Sequence, residues 1–169
     1  MFNKKSLFVP VTLIVTSFLG VSAANAEKPQ QCYTASSIQG HYAVIGKYGA
    51  NVAIALGERQ LDGKGNFTGT FVLNEPTAGS TTGARTIITG TQVGTYTVNC
   101  DGSGVITRVL TASNGTTADQ MDNFIITGAI VEGNQLIATT IVDVQQAPSA
   151  IVAGGIFLTR TWTLLPDNQ

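Results

Sequence analysis

Residues 94–111 read GTYTVNCDGSGVITRVLT: two alternating runs around a turn of Asp101, Gly102, Ser103 and Gly104. Glycine admits the positive φ that a tight hairpin requires, so the stretch reads as a β-hairpin. The same grammar recurs on both sides. GERQLDGKGNFTGTFVL (57–73) folds back at Asp62-Gly63-Lys64-Gly65-Asn66, and FIITGAIVEGNQLIATTIVD (124–143) folds back at Glu132-Gly133-Asn134. Helical periodicity is hard to find after residue 40. Alternation predicts strands over 40–47, 52–61, 66–74, 86–98, 104–112, 122–132, 135–144 and 154–164. Segments 75–85 (EPTAGSTTGAR) and 113–119 (SNGTTAD) read as polar loops, and 145–153, which contains Pro148, as a longer crossing.

Eight sequential strands with short connections make an all-β, antiparallel up-and-down meander. Such a sheet exposes two edges unless it closes, so the expected fold is a small eight-stranded barrel, with a two-sheet β-sandwich as the alternative. A barrel of this size is filled by its own side chains or holds one small ligand. An outer-membrane barrel needs girdles of aromatic residues. Here the aromatics after residue 26 are scattered and the chain ends in LLPDNQ, which argues against one.

The first 26 residues read as a cleaved signal peptide. Lys4 and Lys5 precede the apolar run LFVPVTLIVTSFLGV, and SAANA supplies a small-x-small site, placing cleavage after Ala26 and the mature start at Glu27. A retained anchor is the alternative, but the run is short for a span and Pro10 interrupts it. The chain then divides into a leader, 1–26, and one domain, 27–169. Losing both lysines changes the chain's 9 basic and 10 acidic residues to 7 and 10. That weak negative charge, with no basic cluster, argues against nucleic-acid binding. Nothing after residue 26 approaches a membrane-spanning helix, and the location expected is periplasmic or secreted.

Cys32 and Cys100 are the only cysteines. In an oxidising compartment such a pair is most often a disulfide, which would fasten the N-terminal segment to the sheet. Two buried thiols are the alternative. A zinc site is disfavoured because the ligand spacing is absent.

Cys32, GHYAVIGKYG (40–49), LDGKGNFTG (61–69), GTYTVNCDGSGVIT (94–107) and TRTW (159–162) follow one another along most of residues 32–162. This succession resembles a group of small exported bacterial β-barrel proteins, and more distantly the calycin-like barrels, which include lipocalins and allene oxide cyclases. In that pattern the second cysteine follows the turn aspartate, whereas Cys100 precedes Asp101 here. The resemblance implies a fold and export, and it carries over no catalytic residue.

No nucleophile elbow, zinc-protease helix, C-x-x-C pair or phosphate loop is present, and no cofactor is called for. The single histidine, His41, reads as a surface or rim residue. Asp62 and Asp101 close turns, and calcium binding there lacks the necessary cluster of oxygens. Asn66-Phe67-Thr68 and Asn114-Gly115-Thr116 match a glycosylation sequon, taken as coincidence in a bacterial leader's protein.

Two charges interrupt apolar faces: Arg160 in Ile156, Leu158, Arg160, Trp162, Leu164, and Glu58 in Val52, Ile54, Leu56, Glu58, Gln60. If both faces point inward, these charges form a structural ion pair or a polar anchor in a ligand cavity. The candidate ligand-binding residues are Tyr42, Glu58, Arg160 and Trp162. Three functions follow. The barrel binds a small apolar or amphipathic molecule, hydrophobic or anionic; it is a cyclase or isomerase that works by holding its substrate in shape; or it is an interaction module with a filled core.

Overall fold

In the computed structural model, residues 31–48, 53–151 and 157–166 are described. The expected signal peptide, its cleavage site and Glu27 lie outside the described residues. A short 3-10 turn, Ala35–Ser37, precedes eight strands: β1 Gln39–Tyr48, β2 Ala53–Asp62, β3 Asn66–Pro76, β4 Arg85–Val98, β5 Ser103–Ala112, β6 Thr117–Glu132, β7 Gln135–Gln145 and β8 Thr159–Leu164. They pair antiparallel in chain order and close into a barrel, with Trp162 of β8 opposite Val44 of β1. The meander closes, and the sandwich alternative falls away.

The turns work as their chemistry demands. The Asp62 carboxylate accepts from the backbone N–H of Lys64 at 2.7 Å and of Asn66 at 2.9 Å, and from Asn66 Nδ2 at 2.7 Å. Asp101 does the same for the backbone and hydroxyl of Ser103. Both carboxylates are thereby occupied by their own turns.

Two strand starts differ from expectation. β6 begins at Thr117, not at 122, because its first inward residues include Gln120 and Asp122, whose polarity hides the alternation. β8 begins at Thr159; Phe157 and Leu158 are not strand, and 154–156 lie outside the described residues.

The interior has three levels. The lower one is packed by Tyr42, Ile106, Ile141, Phe124 and Trp162, and the upper one by Ala53, Leu73 and Leu158 with Phe71 and Ile88 against them. Between them lies a polar level. On β5 the inward sequence is Ile106, Arg108, Leu110, and on β8 it is Arg160, Trp162, with Leu158 buried just before the strand. Room for the long polar side chains comes from inward glycines in register with them. Gly69 stands between Arg59 and Gln92, Gly94 beside Arg108, and Gly46 opposite Arg160. A Cβ at Gly46 would sit 2.7 Å from Arg160 Cγ, and one at Gly94 would collide with the Thr107 carbonyl oxygen.

The lower mouth is stoppered by the chain's own N-terminal segment. Ile38 is fully buried there, and the Tyr96 hydroxyl donates to its carbonyl at 2.7 Å. Tyr33 N–H donates to the Cys100 carbonyl at 3.2 Å, and a Cys32–Cys100 disulfide ties the segment down. Cys100 stands just past the end of β4, in the turn to β5, where it anchors the stopper.

Two predictions follow from the turn and the stopper. Cys32→Ser opens a cross-link of sequence separation 68, and the chain-entropy model puts the loss at about 4 kcal/mol in denaturant unfolding. Unchanged stability would mean that the bond does not constrain the unfolded chain. Asp62 is held at about 2, below its usual 3.8, by the Asn66 side chain first and then by the turn's N–H groups. A carboxyl lowered in the fold stabilises it fully above the ordinary value and loses that contribution as pH falls toward 2. Wild type should therefore lose stability more steeply than Asp62→Ala between about pH 4 and pH 2. Parallel curves would remove the carboxylate from the hairpin's energetics.

Candidate functional site

The polar level is a buried charge network. Asp143 on β7 accepts from Arg160 Nε at 2.7 and 3.1 Å, from Trp162 Nε1 at 2.7 Å and from Arg59 Nη1 at 3.3 Å. Asp122 on β6 accepts from Arg108 Nε at 2.9 Å and lies 2.8 Å from Arg160 Nη2. Arg160 thus joins the two carboxylates. Arg108 also donates to Gln92 Oε1 at 3.0 Å. The Arg59 guanidinium stands 4.2 Å over the Trp162 ring, within cation–π range. Burial pulls the Arg59 and Arg108 guanidiniums below their ordinary value, and in each the facing aspartates push back. Arginine remains charged all the same.

Against the upper side of this network lies a cavity of about 40 Å³. Arg59, Arg108 and Arg160 line it together with Gln92, Gln145 and Ser149; Ala55, Phe71, Leu73, Leu110 and Leu158 are among its apolar walls. Four of the polar residues each hold a buried atom without a hydrogen-bond partner: Arg59 Nε, Gln145 Nε2, Ser149 Oγ and Arg160 Nη2. The last is at ion-pair distance from Asp122, but its N–H is not aligned on the carboxylate. Burying such groups unmet is costly, and native structures contain few of them.

Arg160 is interior, as its apolar neighbours indicated, and it borders the cavity. Trp162 and Tyr42 are fully buried one level below, where the Tyr42 hydroxyl donates to the Ala138 carbonyl at 2.7 Å and the two rings meet edge to face. Burial pushes the Tyr42 phenol up. Glu58 is different. It faces outward, 3.2 Å from His41 Nε2, and its chain neighbour Arg59 points inward. The expected Glu58–Arg160 pair is replaced by Arg160 with Asp143 and Asp122. The cause is a one-residue error in face, which moves every side chain of a strand to the opposite side. On β2 the apolar Ile54 and Leu56 are 47% and 56% exposed, while the inner face is Ala53, Ala55, Gly57, Arg59, Leu61.

Arg59, Arg108, Asp122, Asp143, Gln145 and Ser149 were not anticipated. Arg108 carried the same mark as Arg160, one charge on an otherwise apolar face (Ile106, Arg108, Leu110), whereas Asp143 shares its face with Gln145. Ser149 had no sequence mark. Among the described residues no group of three or more His, Cys, Asp or Glu could hold a metal ion. No helix among them is long and apolar enough to cross a membrane.

No protein-family model matches the chain, and neither a curated protein nor a solved structure matches it.

The network predicts an order of sensitivity to mutation. Removing one partner of a buried pair costs about 3–5 kcal/mol. Asp143→Ala should fall at the upper end, since it strands two guanidiniums and an indole N–H, and Arg160→Ala at the lower end, since Arg59 and Arg108 still cover the aspartates. Glu58→Ala should stay within about 0.5 kcal/mol, as for surface changes. Denaturant unfolding of the three variants decides it. Equal losses for Glu58→Ala and Asp143→Ala would contradict the network.

Proposed function

We propose that this protein is an exported barrel that binds a small amphipathic molecule in its upper interior, polar end against the arginine level and apolar part among Ala55, Phe71 and Leu110. One observation carries the reading: a cavity with apolar walls that is also lined by four residues holding unmet polar atoms. Ligand sites are commonly built this way. The volume of about 40 Å³ lies far below the roughly 300–1,000 Å³ of drug-sized pockets. It narrows the ligand to one of a few heavy atoms. Export rests on the leader-like residues 1–26 and is supported by the Cys32–Cys100 bond.

No observation favours the cyclase reading over binding, since the residues described as lining the cavity include no carboxylate and no histidine that could move a proton. The interaction-module reading has one feature in its favour. Ile45, Leu56 and Val72 lie side by side on the outer faces of β1, β2 and β3, all exposed.

The test is thermal unfolding and Trp162 emission of the purified protein against a panel of small neutral and charged molecules. A ligand at 100 times its Kd stabilises by about 2.7 kcal/mol, and Trp162, the chain's one tryptophan, sits directly beneath Arg59. Ala55→Leu, which fills the cavity, should abolish the response. A panel with no response in either readout would rule out binding and leave the module reading.

A further inference from the structure

The cavity wall specifies more than polarity. Among the described residues, Arg59, Arg108 and Arg160 face Asp122 and Asp143 alone across the network, which thus carries one more positive charge than negative. Glu75, another buried carboxylate, is not among the cavity-lining residues; burial pushes it up and Arg85 opposes that push. Guanidinium does not shed its proton in proteins, so the excess charge persists. A buried unpaired charge is costly, and an anion entering beside it removes that cost.

The unmet atoms narrow the anion. Arg59 Nε, Arg160 Nη2, Gln145 Nε2 and Ser149 Oγ all can donate. Gln145 Oε1 already accepts from Leu158 N–H at 2.6 Å, which fixes the amide with its NH₂ as the free end. Four donors match the roughly four lone-pair directions of one carboxylate. Each of these residues is at least nine-tenths buried. The volume of about 40 Å³ exceeds the roughly 10–15 Å³ that one water needs, so the cavity accepts a small acid such as acetate, with slightly longer chains reaching toward Leu110 and Leu158.

Building on the binding function proposed above, we infer that the ligand is a short-chain monocarboxylate, its carboxylate held by Arg59, Arg160, Gln145 and Ser149. A dianion is disfavoured because the network has a single charge to offer. A neutral ligand leaves that charge unanswered.

The experiment titrates the purified protein with acetate and propionate, with propionamide as neutral isostere, and with chloride, at ionic strength held by a bulky anion. Binding is followed by calorimetry and Trp162 emission. Propionate should saturate the protein, with propionamide and chloride each at least tenfold weaker. Ser149→Ala removes a hydroxyl with no hydrogen-bond partner among the described protein atoms, so its unfolding midpoint should match or exceed wild type while propionate binds about 3–10-fold more weakly. Propionamide binding as tightly as propionate would overturn the charge assignment and leave small-molecule binding standing. Chloride displacing propionate at equal concentration would overturn the carboxylate class. Unchanged propionate affinity in Ser149→Ala would overturn the proposed seat. No saturable response to any probe, neutral ones included, would overturn this inference and the binding function together.

Discussion

A carboxylate with no access to water organises this barrel. Asp143 is 1% exposed and accepts hydrogen bonds from Arg59, Arg160 and Trp162, which reach it from β2 and β8. An ionised carboxylate in such a place is tolerated only when donors surround it. The requirement fixes which residues of three strands face inward and at what height. Asp143 pairs in register with Arg160, so the β7–β8 ladder cannot slip without separating the two. Arg108 and Asp122, which meet diagonally across the β5–β6 ladder, constrain that pair of strands as well. Buried polar groups that specify register at a cost in stability are known from coiled coils, and the charged level here acts in that sense around a closed sheet.

The same level divides the molecule by character. Beneath it the interior is closed, filled by aromatic and branched side chains and stoppered by a segment bonded through Cys32. Above it the packing is thinner and donors remain unmet. Small and large residues alternate across the strands to make this possible. Phe67 and Phe71 lie opposite Gly94 and Gly90, and their rings close over the bare backbone there. Gly69 beside Arg59 and Gly46 opposite Arg160 leave room for guanidiniums instead. One residue type thus accommodates both the packed half and the charged level.

Strands and turns were legible in the sequence because their causes are local. Alternation with Asp-Gly and Gly-Asn punctuation placed β1 to β5 and β7 within about two residues of where they lie, within the usual scatter of strand ends. Facing was harder to read. Hydrophobicity put Ile54 and Leu56 inside β2, yet those side chains face out, and the inner face is made of alanine, glycine and one arginine. At Gly57 a Cβ would collide with the Thr70 carbonyl oxygen across the β2–β3 ladder, a cross-strand fact that no single strand records. Glu58 was misplaced for this reason. Arg160 was placed correctly because Trp162 and Leu158 flank it on the inner face. The cavity itself depends on Gln145, the last residue of β7, and on Ser149 in the connection after it, and nothing in their local sequence announces that position.

The closing seam has a consequence for how the chain reaches this state. β8 is the shortest strand, six residues long, and it delivers Arg160 and Trp162 to aspartates on strands made earlier. Until it arrives, the sheet has two open edges and Asp143 lacks two of its three donors. The seam joins Tyr42 to Leu164, nearly the full span of the domain. Contacts so distant in sequence demand loop closure before any return, and chains built on them fold slowly. A nascent chain, or one truncated before β8, is therefore an unfinished ribbon with stranded charges, and commitment to the fold is deferred until the C-terminal residues are available.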